Sequence, residues 1–399
     1  MKPQFSMTSI FTIISLWSLF SCGDDSSPGL ENTKFLAYSI MVHQEGQTEL
    51  LSETRQINVT ISFDADITKL TASFGLSPDA TAFIGNVQQE SGVTVNDFSA
   101  PITYRVESAD GASSDWLVTI TQMDKPDFIV TTLVKDFPGN DGVSVDKDGY
   151  IYVNSNGKLN QWNGTTIYKV SPDGSEVSQF AAGLPSWPVG SQLDRDGNLY
   201  VTGWNAPRIV TKILQDGTTQ KIASGIQEAS GLEIDNDGNF YVMEPPTNSM
   251  IKITPDGQKS VFAQGGSFNK ASGITYDRGG GTFYVSNWFD GNISHVAADG
   301  TVSLFTTLPV RNLGPIFISR NFLYVSNPNG NKIYRVDKNT KEFILLAGTG
   351  ARGNVDGFAN QASFSFPLGV GISPDGKHVY VAEVSPSGNG RLRVISPAE

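Results

Sequence analysis

The chain has 399 residues, 39% of them hydrophobic, with 41 glycines and 20 prolines: enough apolar material for more than one core, and too many turn formers for long helices. Its 28 basic against 40 acidic residues leave a net charge of −12, a surface that repels phosphate backbones, so no nucleic-acid partner is expected. A single cysteine excludes an internal disulfide.

Lys2 and the apolar run from Ile10 to Phe20, ending in "LFSC", read as an export signal over residues 1–22. The run is short for a membrane span. Cys22 stands where such a signal is cut. "SLFSC" followed by "GDDSS" resembles the lipobox of bacterial lipoproteins, with Phe20 departing from the small residue usual there. The resemblance implies a lipid on Cys22, and firm anchoring when several acyl chains are attached. The acidic "GDD" is similar to the start of surface lipoproteins in Bacteroidetes-like bacteria, which implies a surface-exposed outer-membrane protein held to the membrane only by its lipid. Residues 23–32, small and polar, read as a tether.

Residues 33–123 alternate polar and apolar positions in "RQINVTISF" (55–63), "PITYRVES" (101–108) and "DWLVTIT" (115–121). "ADGASS" (109–114) joins the last two as a hairpin with an Asp-Gly turn. About 90 residues of this kind suit a small Ig-like β-sandwich. The phrase "DFSAPITYRVESADGASSDWLVTIT" resembles the sandwich modules that come after the anchor in the same lipoproteins, which implies a spacer. "MDKPD" (123–127) reads as the joint to a second domain.

From residue 127 to 399 one phrase recurs: a first strand such as "GVSVD" or "GLEID", an Asp-Gly turn, and a Tyr-Val strand carrying Tyr152, Tyr200, Tyr241, Tyr284, Tyr324 or Tyr380. These tyrosines lie 40 to 56 residues apart, the period of a propeller blade. A third strand ("TIYKV", "MIKIT", "KIYRV") and a fourth after another turn complete each copy. The last copy lacks its fourth strand while "DFIVTTLVKDF" (127–137) has no copy of its own, so pairing of the two is expected to close the ring. The fold class is therefore all-β: a small Ig-like β-sandwich followed by a six-bladed β-propeller.

"LAGTGARGNVDGFANQASFSFPLGVGISPDGKHVYVAEV" (346–384) resembles an NHL repeat, and 127–399 as a whole is similar to six-bladed NHL-type propellers, with a more distant likeness to the regucalcin and gluconolactonase family.

Antiparallel strands sort the loops onto two faces. One face collects Asp146, Asp148, Asp194, Asp196, Asp235 and Asp237, read as turn chemistry rather than a cation site because the downstream glutamate of a calcium loop is missing. The other face collects Trp162, Trp187, Trp204 and Trp288, with Glu244, Asn287, Asn327 and Glu383 three residues after their tyrosines, and Arg208, Arg311 and Arg352 in its loops. Indoles with amide and carboxylate neighbours suit a glycan, and also a protein partner. Packing of each tryptophan between blades is the structural alternative. The expected function is that of a lipid-anchored, monomeric binding protein of the cell envelope, with no cofactor.

The gluconolactonase likeness implies a second reading, a calcium-dependent lactone hydrolase with its metal near the loops leading into the first strands. The positions before each first-strand glycine are Asp141, Val189, Ser230, Ser272 and Leu368, with Gly314 before Pro315 in the fifth copy, so Asp141 is the one charged oxygen donor among them. Asn140, Glu228 or Glu244 would have to join it. Glu233 is a candidate tunnel carboxyl, and no histidine cluster or nucleophile elbow appears.

Overall fold

The structure, a computed structural model, describes residues 30–41, 45–61, 65–123, 127–157, 161–184, 187–206, 208–384 and 389–398. The signal segment, Cys22, His43 and residues 124–126 of the joint lie outside the described residues. Among the described residues regular structure is entirely strand apart from two three-residue 3-10 turns, and the chain divides into two compact units at the 125/126 junction.

The first unit contains two sheets that share one core. A three-stranded sheet joins Phe35–Ile40, Leu70–Leu76 and Val95–Asn96. A six-stranded sheet contains the expected hairpin, Ile102–Glu107 against Ser113–Gln122, with Tyr104 opposite Trp116. Its strand Gln56–Ile61 pairs with Ser113–Gln122 in parallel. Alternation drives the assembly: Ile57, Val59 and Ile61 are buried while their neighbours face out. Phe35 sits at the centre, edge-on to Tyr38, Phe74, Tyr104 and Trp116 at 5.4–5.6 Å between ring centroids. The buried Trp116 indole donates to the Thr33 carbonyl at 2.9 Å, so its one polar atom is satisfied.

In the second unit six sheets carry the repeats, and each copy folds as an antiparallel meander in sequence order. The first is Val143–Val145, Ile151–Ser155, Thr166–Val170 and Val177–Ala181. The six first strands, Val143–Val145, Pro188–Leu193, Leu232–Ile234, Ala271–Asp277, Ile316–Ser319 and Pro367–Ile372, contact one another in turn, and the last contacts the first. This is a closed propeller.

The recurring glycines explain why the ring is narrow. A methyl group on Gly231 would stand 2.8 Å from the Ser272 carbonyl, and one on Gly273 2.9 Å from the Gly314 carbonyl. Gly142, Gly190 and Gly369 meet the carbonyls of Val189, Ser230 and Asp141 more closely still. In each case the obstacle is the residue leading into the next first strand, which opens on Gly190, Gly231, Gly273, Pro315 or Gly142, so any side chain would push the sheets apart. Hydrogen bonds use the same carbonyls: Asn154 donates to Val189 (2.7 Å), Thr202 to Ser230 (2.6 Å) and Ser286 to Gly314 (2.6 Å).

At the opposite end of the first strand the acidic turns spend their oxygens locally. Asp146 accepts the backbone N–H groups of Asp148 (3.0 Å) and Tyr150 (2.9 Å) and the Tyr152 hydroxyl (3.3 Å). Asp194 and Asp235 repeat the pattern with Tyr200 and Tyr241. Gly149, Gly197 and Gly238 come next at φ of 87°, 80° and 82°.

Closure agrees with the expectation. Phe128–Phe137 pairs antiparallel with Gly390–Pro397, Val130 opposite Ile395. A further short strand, Gly357–Phe358, covers the other side of Phe128–Phe137, so this sheet has five strands where the sequence suggested four. A buried ion pair fastens the seam: Arg393 contacts Glu383 at 3.1 Å and Asp356 at 2.7 Å, and donates to the carbonyls of Ser363 and Val355. Glu383 is buried and its carboxyl is pushed upward by desolvation, with Arg393 opposing the shift.

Replacing Arg393 by Met removes that counter-charge from a buried carboxyl. A loss of about 3–5 kcal/mol is expected in urea denaturation of the whole chain. Adding Glu383→Gln should recover part of it, because the remaining amide oxygen still accepts the Ser365 N–H. Equal stability of the single and double variants would rule out the pair as the clasp.

Candidate functional site

A cavity of about 360 Å³ occupies the propeller ring, and its wall includes all four predicted indoles, Trp162, Trp187, Trp204 and Trp288. Trp162 and Trp187 stack at 5.2 Å between ring centroids with planes 9° apart. Trp204 continues the column at 5.3 Å from Trp187, tilted by 34°. Trp162, Trp204 and Trp288 are half-buried, which leaves ring faces for a ligand.

Two repeat positions supply much of this wall. Trp204 and Trp288 come four residues after their tyrosines, and Asn156 and Pro245 occupy the same place in two other sheets. Trp187, Lys270 and Phe366 stand three residues before the first-strand glycine, at φ of 64°, 51° and 53°. Glu228 shares that position at φ 47°. A left-handed backbone costs a non-glycine residue about 1–3 kcal/mol, so the surroundings must hold it. They do: the Trp187 N–H donates to the Gly164 carbonyl (2.9 Å), the Lys270 N–H to Asn248 Oδ1 (2.7 Å) and the Phe366 N–H to Asn331 Oδ1 (3.0 Å). Further bonds stitch the tryptophans together, from the Trp204 N–H to the Trp187 carbonyl (3.0 Å) and from the Trp288 N–H to the Lys270 carbonyl (3.1 Å).

Two buried carboxyls interrupt the aromatic wall. Asp141, 3% exposed, accepts the Gly142 N–H at 2.8 Å and the Asn156 side-chain amide. Burial pushes its carboxyl up to about 7 against the pull of those two donors. Glu233 accepts the Gln192 amide at 2.7 Å and is pushed up to about 7 by burial, with Gln192 and the charge of Arg278 opposing. Two buried polar atoms of the wall have no hydrogen-bond partner among the described residues, Asn156 Oδ1 and Trp187 Nε1. Lys270 holds its ammonium 5.0 Å from the Phe289 ring centre.

The expected polar partners of the tryptophans are placed differently. Glu244, Asn287, Asn327, Glu383 and Arg208 do not line the cavity. Glu244 accepts the Gln227 N–H (2.7 Å), Asn287 the Asn269 N–H (2.8 Å) and Glu383 the Ser365 N–H (2.7 Å), each from the loop leading into the first strand of its own sheet. Asn327 reaches the same kind of loop as a donor, to the Asn312 carbonyl at 3.0 Å. These four side chains are latches that shape the loops, because exposed N–H groups at a strand entrance need acceptors. Arg208 is a left-handed loop residue whose carbonyl accepts the Gly225 N–H. Sequence reasoning missed Asn156, Gln192, Lys270 and Phe366; aligning the copies on their tyrosines and glycines would have revealed Asn156, Lys270 and Phe366.

The donor set does not fit calcium. Around Asp141 the equivalent positions are Val189, Ser230, Ser272, Gly314 and Leu368, and Ser230 Oγ already donates to the Ser272 carbonyl at 2.9 Å. Asn140 and Glu244 are occupied with the Gly157 carbonyl and the Gln227 N–H. Among the described residues no three His, Cys, Asp or Glu side chains converge as a metal site would require.

Comparison with known proteins divides the same way as the structure. Residues 37–120 match the family described as "SGBP, N-terminal". The chicken protein "NHL repeat-containing protein 2" is 38% identical over 77 residues, 19% of this chain, and the matched stretch spans about a tenth of that relative's length, 10%. An auxiliary nutrient binding protein from Bacteroides thetaiotaomicron is similar in structure with a TM-score of 0.57 and 12% identity, over 83% of this chain and 94% of that one. A gluconolactonase from Xanthomonas campestris gives a TM-score of 0.52 and 14% identity, over 67% and 89% of the two chains. At these identities the structural likeness is one of fold. Among the described residues no helix is long and apolar enough to cross a membrane.

The raised Asp141 carboxyl carries a stability signature. Its ordinary value is 3.8 and its folded value about 7, so the folded state retains a proton that the unfolded chain loses. The stability it contributes is complete below pH 3.8 and is lost as pH rises through about 7. Asp141→Asn abolishes this titration, and Asn156 can turn its unpartnered Oδ1 toward the new amide. Calorimetry should show the variant melting above the wild type at pH 8, with the gap closing toward pH 4. A constant gap across that range would refute the assignment.

Proposed function

We propose that this chain is a cell-surface binding protein that receives a glycan or a related nutrient in the tryptophan-lined cavity of its propeller. The observation that carries the reading is the Trp162–Trp187–Trp204 column on the wall of a 360 Å³ cavity, with Trp288 on the same wall. Indole planes pack against the C–H faces of sugar rings while wall oxygens and N–H groups take hydroxyls. The volume lies toward the lower end of small-ligand sites, roughly 300–1,000 Å³, which suits one or two rings rather than a long chain.

Two comparisons support the surface role. SGBP denotes surface glycan-binding proteins, and their N-terminal module is what residues 37–120 match. The similar fold of an auxiliary nutrient binding protein agrees with uptake of a small ligand. Together with the lipobox-like "SLFSC", they support a lipid on Cys22, a tether over 23–32, the first unit (33–123) as a spacer of Ig-like type, and the propeller over 127–399 held outward as a monomer. A protein partner at the same face is the competing occupant. The calcium-dependent lactonase reading is weaker, since the residues around Asp141 do not fit the metal.

The test is titration of intrinsic fluorescence on the chain lacking residues 1–22, with mono- and oligosaccharides. Trp204 and Trp288 have ordinary backbone conformations, so Ala there removes the ring without backbone strain. Losing one stacking face should weaken binding by about 10-fold or more, at roughly 1.5 kcal/mol or more per ring. Saturable binding untouched by both substitutions would move the site elsewhere, and no saturable signal from any sugar would defeat the glycan reading.

A further inference from the structure

We infer that Asp141 is the counter-charge for a protonated amine, so that the cavity takes an amine-bearing sugar ring in preference to a neutral one. The inference rests on the cavity being a ligand site, and it names the class of ligand.

Three carboxylates are deeply buried among the described residues: Asp141, Glu233 and Glu383. Glu383 has Arg393 at 3.1 Å, and Glu233 lies within the field of Arg278. Among the described residues Asp141 has only neutral donors, the Gly142 N–H and the Asn156 amide. Buried charges are ordinarily paired, because desolvation costs more than neutral hydrogen bonds return. The one cation of the cavity wall among the described residues, Lys270, places its ammonium over Phe289 and makes no ion pair with Asp141. The partner that Asp141 lacks is therefore one the ligand can bring.

The surroundings match an ammonium in detail. Asn156 Oδ1 is a buried acceptor without a donor, on a residue 1% exposed, and its own amide group already holds Asp141. An ammonium offers three N–H donors, whereas a hydroxyl offers one. The indoles of the same wall present negative ring faces, which favour a cation in a desolvated site. Trp187 Nε1 is a buried donor without an acceptor, so the ligand must also carry an oxygen. A ring that bears both an amine and hydroxyls meets all four requirements.

The experiment measures affinities of the chain lacking residues 1–22 for glucosamine, N-acetylglucosamine and glucose, with cyclohexylamine and cyclohexanol as ring probes without the sugar hydroxyls. Glucosamine is expected to bind roughly tenfold or more tightly than glucose or N-acetylglucosamine, in which acetylation removes the charge. Asp141→Asn should erase that preference; should the variant fail to fold, the wild-type series decides alone. Equal affinity for glucosamine and glucose would overturn the amine assignment and leave the glycan reading standing. Preference for cyclohexylamine over cyclohexanol, with no sugar bound, would support Asp141 as counter-charge and overturn the glycan reading. Failure of every probe to bind would overturn both.

Discussion

One close approach is the constraint on which the rest of the propeller depends: that of five first-strand glycines to the carbonyl of the residue leading into the next first strand. Gly142 meets Val189, Gly190 meets Ser230, Gly231 meets Ser272, Gly273 meets Gly314, and Gly369 returns to Asp141. The fifth sheet has Pro315 at this position, and at each of the other five a Cβ would push neighbouring sheets apart. The polar second-strand residues Asn154, Thr202 and Ser286 then use those carbonyls as acceptors, so one row of atoms sets both spacing and registry.

The ring leaves a cavity whose wall combines first-strand residues such as Gln192, Leu232 and Glu233 with loop residues from either side. Two repeat positions in those loops contribute, three residues before the glycine and four after the tyrosine. The first of these positions has a left-handed backbone at Trp187, Glu228, Lys270 and Phe366, where glycine would be cheaper. Keeping a bulky or charged residue at such a place is a cost to folding, and the latches on these loops offset it. Glu244, Asn287, Asn327 and Glu383 thus serve the site without touching the cavity.

Much of this was legible in the sequence, and the limit falls where local pattern ends. The Tyr-Val period, the Asp-Gly turns and the closure by residues 127–137 depend on alternation and turn chemistry within a few residues, so they can be read without coordinates. Strand direction alone placed all four tryptophans on one face. What the sequence could not convey was which way a polar side chain at a strand end turns. Glu383 looks the same whether it faces a ligand or Arg393, and the difference is decided by a partner from the next strand and by the loop carrying Asp356. The parallel pairing of Gln56–Ile61 and the added strand Gly357–Phe358 are long-range in the same sense.

The three buried carboxylates show how burial can serve opposite ends. Glu383 is enclosed with a guanidinium and three further hydrogen-bond acceptors of that guanidinium, so its charge fastens the seam and is spent. Glu233 shares its burden between Gln192 and the distant charge of Arg278. Asp141 is buried in the tight part of the ring with two neutral donors and no cation among the described residues. A chain selected only for stability would place an amide there, since a neutral group would keep the hydrogen bonds and remove the desolvation cost. The carboxylate stands on the same wall as an unpartnered carbonyl oxygen and an unpartnered indole N–H, and these three costs fall on one cavity. Their concentration there is what distinguishes a prepared recognition surface from incidental strain.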